Sequence, residues 1–361
     1  MRQPSIPQDI LTQYDVLKDI LKIEPFGNGH INNTYLVRVK TGKFILQRVN
    51  PTVFKTDILV SNAEKLIPAL EKYQSNHQQK LSPQFIKNRH NKTHSLDEQG
   101  AAWRLIELIE GCKSYSITTN TANAYLGAQS LGQFQIFLNT LDPKEFDETI
   151  PHFHHPAGRL KAFKEVLSQA DESLKMQARP EIDFILGHQS IAGEIDHLTS
   201  QNKIPHRITH NDPKLENILF TTDHQSLVID LDTVMPSSIL FDYGDMVRTF
   251  TPSAAEDEPH AEKVMLRIDH FEAMTKGYLE QIRTFLTTDE KENLLLGAKA
   301  IVYEQSLRFM TDFLNGNIYY KVDYSTHNLV RTRTQIKLLN EILEKEKQLS
   351  QIIQANTRPS R

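Results

Sequence analysis

The stretch ITHNDPKLENILF, residues 208–220, and the run LVIDLD, residues 227–232, decide how this chain is read. Each joins a short apolar run to side chains that end in hard oxygen or nitrogen atoms. In HNDPKLEN, Asp212 and Asn217 stand five apart, with His210 ahead of them and Lys214 between. Asp230 comes thirteen residues after Asn217, and Asp232 two later. NILF and SLVIDL flank the turn TTDHQ and read as a short hairpin. Asn and Asp favour turns and caps, and HNDPKLEN alone is compatible with that bland role. With IDLD returning on a strand, a chemical role becomes the better account. A loop Asp beside a strand can take a hydroxyl proton. An Asn oxygen and an Asp carboxylate on two arms of a hairpin can hold Mg2+, which prefers a few hard oxygens plus substrate phosphates.

Upstream, DILTQYDVLKDIL has helical spacing at Ile10, Leu11, Leu17, Ile20 and Leu21. TYLVRV and KFILQRV alternate around KTGK and predict a β-hairpin. DILVSNAEKLIPALEKY returns to helical period, and THSLDEQGAAWRLIELIEG suggests two further strands. From there the signal is mostly helical, in NAYLGAQSLGQFQIFLNTL, RLKAFKEVLSQADESL, EIDFILGHQSIAGEIDHL, HAEKVMLRIDHFEAMTKGYLEQI, KENLLLGAKAIVYEQSLRFMTDFL and TQIKLLNEILEKEKQLSQII. The expected class is α+β, with a sheet region at 1–110 and a mainly helical region at 111–361.

Length suits two lobes: 361 residues exceed one ordinary core. Hydrophobic residues at 39% and charged residues at 24% are globular values. The net charge of −4 makes no case for nucleic acid or an anionic membrane as partner. No apolar run reaches membrane-spanning length, and MRQPSIPQDILTQYDVL lacks a secretory apolar region, so a cytoplasmic protein is expected. The single cysteine, Cys112, allows no internal disulfide. The spacing in PHFHHP (His152, His154, His155) fits no zinc pattern and reads as a solvated loop, while Trp103 reads as core. Oligomeric state is not legible.

H-x-D-x-x-x-x-N followed by a strand ending in Asp is the phosphoryl-transfer layout of kinases. No G-x-x-x-x-G-K-[ST] occurs, so phosphate binding is not of the P-loop type. Taken together, GNGHINNTYLV, ILQRVN, WRLIELIEGCKSYS, HNDPKLENILF, VIDLDTVMPSSILFDYGDMVR and RFMTDFLNGNIYYKV resemble the aminoglycoside phosphotransferase/choline kinase group. Within it they resemble the bacterial N-acetylhexosamine 1-kinases. IDLDTVMP followed by DYGD is the most discriminating of these blocks. The chain departs from the pattern at Pro213 and at the PSS of 236–238, which bears on the exact substrate more than on reaction type.

The resemblance implies a protein-kinase-like fold, with a small N-terminal sheet lobe and a larger helical C-terminal lobe. It implies ATP and Mg2+ as cofactors and a small-molecule sugar as acceptor. Asp212 matches the base, Asn217 and Asp230 match metal ligands, and Asp232 is a further ligand or a supporting group. Lys214 falls where a cation would offset phosphoryl charge. GNGHIN (Gly27, Asn28, Gly29, His30, Asn32) would cover the nucleotide phosphates, since glycine lets backbone N–H groups approach closely. Arg48 would stand in for the kinase lysine and pair with Glu64 on the following helix. LIELIEG, ending at Gly111, would meet adenine. Arg308, Asp312 and Tyr319 would line the acceptor pocket, although Arg308 and Asp312 are four apart and also suit a helical ion pair. The acceptor would be an N-acetylhexosamine. An aminoglycoside, a choline-like amino alcohol or another sugar keeps the fold, and a non-catalytic nucleotide-binding protein is the remaining reading.

Overall fold

The structure is a computed structural model and describes residues 6–27, 31–223 and 225–358. Two compact units emerge. One holds the chain up to Lys113 with Lys144–Pro151 and Leu219–Met235, and the other holds Ser114–Pro143, His152–Ile218 and the chain from Pro236 onward.

The first unit starts with helix α1 (Gln8–Thr12), a single 3-10 turn at Asp15–Leu17, and strand β1 (Ile20–Pro25). The helical spacing expected through Leu21 therefore stops early. Ile20 and Leu21 join a strand because β1 finds hydrogen-bond partners along β2 (Asn33–Val39). A tertiary ladder outweighs a weak local pattern here. The predicted hairpin is present: β2 and β3 (Gly42–Arg48) pair antiparallel from Val39↔Gly42 to Asn33↔Arg48. Helix α2 (Thr56–His77) follows, and then β4 (Phe85–Ile86), β5 (Ser95–Leu96) and β6 (Ala102–Glu107). The sheet order is β1-β2-β3-β6-β4, with β5 also on β6. Ile10, Leu11, Tyr14 and Leu17 share one core with Val37, Val39, Leu46, Trp103 and Leu105. The later hairpin, Ile218–Phe220 with Ser226–Val228, is tied into this unit. Lys113 and Phe220 exchange backbone bonds of 2.9 and 2.8 Å, and Val228 donates to the Leu81 carbonyl at 2.9 Å.

The second unit is helical. Its helices are α3 (Thr121–Leu138), α4 (Pro156–Gln169), α5 (Glu172–Gln177), α6 (Arg179–Gly187), α7 (Glu194–Ser200), α8 (Ile239–Phe250), α9 (Ile268–Ile282), α10 (Thr288–Leu314), α11 (His327–Glu344) and α12 (Glu346–Thr357). Pro156 opens α4 at a position where the lost N–H costs nothing. A reciprocal Thr287–Glu290 cap starts α10. Helix α8 is buried nearly all round, with the carboxylates of Asp242 and Asp245 on one face among its apolar residues. It crosses α10 at two glycines. A Cβ on Gly244 would sit 2.3 Å from the Gly297 carbonyl oxygen, and one on Gly297 would sit 2.0 Å from that of Leu240. Only glycine at both places lets these backbones approach so closely.

Candidate active site

In the second unit, the strand Arg207–Thr209 delivers His210 into the loop that ends at Asn217. Its first residue is held from outside, since Arg207 Nε donates to Glu290 Oε1 at 2.7 Å. The loop's backbone is held by Asp242 of α8, whose two oxygens accept the N–H groups of His210 (2.9 Å) and Asn211 (2.8 Å). Burial pushes the Asp242 carboxyl up to about 7, against the pull of those two amides. Asn211 adopts a left-handed φ of 66°. Asp212 then projects beside Lys214, whose Nζ is 3.0 Å from Oδ2. Asn217 donates through Nδ2 to the Asp212 carbonyl (2.8 Å) and to Oδ2 (2.9 Å), which leaves Oδ1 as the end turned away from Asp212. Burial opposes ionisation of Asp212, yet Lys214, His210 and Arg248 hold its carboxyl below the ordinary value.

His154 is buried, contrary to the solvated loop expected for PHFHHP. Its ring nitrogens meet Glu304 Oε2 (3.2 Å) and the Asn211 carbonyl (2.6 Å). Arg308 lies over the rings of Phe153 and Tyr320, at 5.9 and 5.7 Å. Among the described residues its one hydrogen bond is a long 3.4 Å to Gln305. The Arg308–Asp312 helical pair does not form. Asp312 instead accepts the backbone N–H groups of Tyr319 (2.7 Å) and Tyr320 (2.9 Å) and the Asn328 amide (2.9 Å), which shapes the turn after α10. Asp312 is thus occupied structurally, and Tyr319 is 68% exposed.

In the first unit, Gly27 has φ 74°, while Asn28, Gly29 and His30 lie outside the described residues. Asn32 donates to Asp232 Oδ2 at 2.8 Å and accepts from the Asn50 N–H at 3.1 Å. Asp232 faces Arg104 of β6 through both guanidinium ends, with side-chain exposures of 2% and 3%. Arg104 Nε also donates to Gln47 at 2.9 Å. Both Asp232 oxygens are therefore engaged by protein. His94, buried nearby, is pushed down to about 3 by burial and by the Arg104 charge. The expected Arg48–Glu64 pair is replaced by other partners. Arg48, opposite Trp103 in the ladder, pairs with Asp97 at 3.7 Å. Glu64 accepts from the Thr93 N–H (2.8 Å) and hydroxyl (2.7 Å). Asp230 has φ 62° just past its strand, and Gly111 has φ 71° just past β6.

Arg104 and Glu304 were not singled out from the sequence, His154 was read only as part of a solvated loop, and Asp242 entered only as the first residue of DYGD. Arg104 did leave a signal, as a charge inside the apolar strand AAWRLIEL. Asp242 and Asp245 share one helical face with Arg248, at spacings of three. The histidine and Glu304 are 150 residues apart and left none.

Sheet, helices and loop together define the fold of small-molecule kinases. An aminoglycoside phosphotransferase from Alicyclobacillus acidocaldarius superposes with a TM-score of 0.57 at 14% identity, over 99% of this chain and 96% of that one. A choline kinase from Cryptosporidium parvum Iowa II gives 0.55 at 15%, over 94% and 95%. The amicoumacin kinase hAmiN, solved with AMP-PNP, Ca2+ and Ami, gives 0.56 at 13%, over 92% and 96%. Residues 22–273 match the phosphotransferase enzyme family, APH, and the chain belongs to that family. Among the described residues, no helix is long and apolar enough to cross a membrane.

Proposed function

We propose that this protein is an ATP- and Mg2+-dependent kinase that phosphorylates the anomeric hydroxyl of an N-acetylhexosamine, GlcNAc or GalNAc, to give the 1-phosphate. The observation that carries the kinase reading is the Asp212 carboxylate, kept ionised beside Lys214 and fixed by Asn217. Asp212 takes the acceptor proton as the new O–P bond forms and the bond to the β-phosphate oxygen breaks. Lys214 offsets charge on the moving phosphoryl group. Asn217 Oδ1 and the Asp230 carboxylate are hard oxygen donors of the kind Mg2+ takes, and they are the residues that would hold it. Bound Mg2+ would neutralise the nucleotide phosphates. Asp232 is assigned to Arg104 instead, because its oxygens are already engaged. Gly27 and Asn32 belong to the turn assigned to the nucleotide phosphates, with Arg48 and Glu64 assigned to support the sheet beside it.

The acceptor reading is supported by Arg308. A buried guanidinium with no carboxylate at ion-pair distance among the described residues suits hydroxyl and carbonyl oxygens and repels an ammonium. That favours a neutral sugar over the amine-bearing acceptors of choline and aminoglycoside kinases. Phosphorus NMR of reactions with a panel of sugars, choline and an aminoglycoside tests this. A phosphate coupled to an anomeric proton is expected, and reaction only with an amine acceptor would overturn the sugar assignment.

A further inference from the structure

Asn211 and Asp212 share a peptide plane, and its carbonyl end is held by His154. The Asn211 carbonyl oxygen can only accept, so Nε2 at 2.6 Å carries a proton. Nδ1 faces Glu304 Oε2 at 3.2 Å. The other Glu304 oxygen takes the His155 N–H at 3.2 Å and lies 3.5 Å from Arg159 Nε, the setting of an ionised carboxylate. A carboxylate facing Nδ1 favours a second proton on the ring. The ring stacks on Phe241 at 5.2 Å and is buried, so it has little freedom to turn.

The same residue is gripped at its other end, where the Asn211 N–H meets Asp242. Its left-handed φ of 66° is one that asparagine tolerates better than other side-chain-bearing residues. The titratable and charged groups around His154 are Glu304 and Arg308 of α10, Asp242, Asp245 and Arg248 of α8, Arg159 of α4, His152 and His155 on its own segment, and His210 and Asp212 on the loop. Burial disfavours the cation, but Glu304, the Asn211 carbonyl and Asp245 outweigh it and raise the His154 pKa.

We propose that His154 is the positioning residue of the base: held as an imidazolium by Glu304, it fixes the Asn211–Asp212 peptide and so aims the Asp212 carboxylate. This rests on Asp212 being the base. The test compares the wild type with His154→Leu and His154→Gln, where the glutamine amide can still donate to the Asn211 carbonyl. His154→Leu should lower kcat roughly 10–100-fold with KM for ATP little changed, as expected for misaimed reacting groups. His154→Gln should recover most of that loss. A folded His154→Leu protein with wild-type kcat, or a glutamine variant no better than leucine, overturns the proposal.

Two further readouts do not depend on activity. Nitrogen-15 NMR of the wild type should find both His154 ring nitrogens protonated above the ordinary histidine value of about 6.5. Amide exchange at Asp212 should rise in the leucine variant and not in the glutamine one. A neutral ring at that pH, or unchanged exchange, also overturns it. If Asp212→Asn, measured alongside, keeps its activity, the base assignment fails, and the NMR and exchange results still decide the role of His154.

Discussion

Asp212 and Asp232 carry equal weight in the sequence, yet their surroundings give them opposite duties. Asp232, in the first unit, has a side chain 2% exposed, with both oxygens bound to Arg104 and one also to Asn32. Asp212, in the second unit, is 23% exposed, with one lysine beside it and Asn217 steadying it. A saturated carboxylate is an anchor, whereas one with an open lone pair can receive a proton. Being an acid inside a recognisable motif does not distinguish the two. The number of donors already aimed at each does.

The sharpest way to break this contrast is Asp212→Asn. Turnover should fall about 10²–10⁴-fold while the melting temperature barely moves, and a steady-state assay with a thermal melt reads both. If more than half of kcat survives, Asp212 is not the base. The matching change on the other side is Arg104→Met, which leaves Asp232 buried and uncompensated. It should cost about 3–5 kcal/mol in urea unfolding, and Arg104→Met with Asp232→Leu should regain much of the loss. A single variant as stable as wild type would mean that Asp232 does not depend on Arg104.

Arg308→Ala sharpens the acceptor side. Losing bonds from a charged donor should lower kcat/KM for the sugar about 10–100-fold, with KM for ATP unchanged, and equal loss for both substrates would refute it. The smallest effect concerns pH. Asp212 is held below its ordinary value, so its activity is complete above that value and is lost only as pH falls through the depressed one. Lys214→Met removes one cause of that depression and should move the acidic limb of the kcat profile upward, leaving the rate above neutrality without a new pH dependence. An unmoved limb would show that His210 and Arg248 suffice.

Local structure was legible in the sequence and distant pairing was not. HNDPKLEN, the β2–β3 hairpin and helix α2 each fall within one stretch whose period or turn residues declare it. Arg104 and Asp232 are 128 positions apart, so no spacing rule joins them. Arg48 and Glu64 were paired by analogy, and the β3–β6 register instead set Arg48 near Asp97. At Arg308 and Asp312 the helical rule met the end of α10. The chain turns back there, and its free N–H groups claim the carboxylate first.

The glycine crossing of α8 and α10 has a consequence for how the protein can change. Asp242 and Asp245 ride on one of these helices, Glu304 and Arg308 on the other, and their alignment is set where two backbones touch without side chains. Such a joint has no rotamers to rearrange. Glu304, two turns further along α10, holds the loop that carries Asp212 through His154, so the crossing fixes where that hold falls.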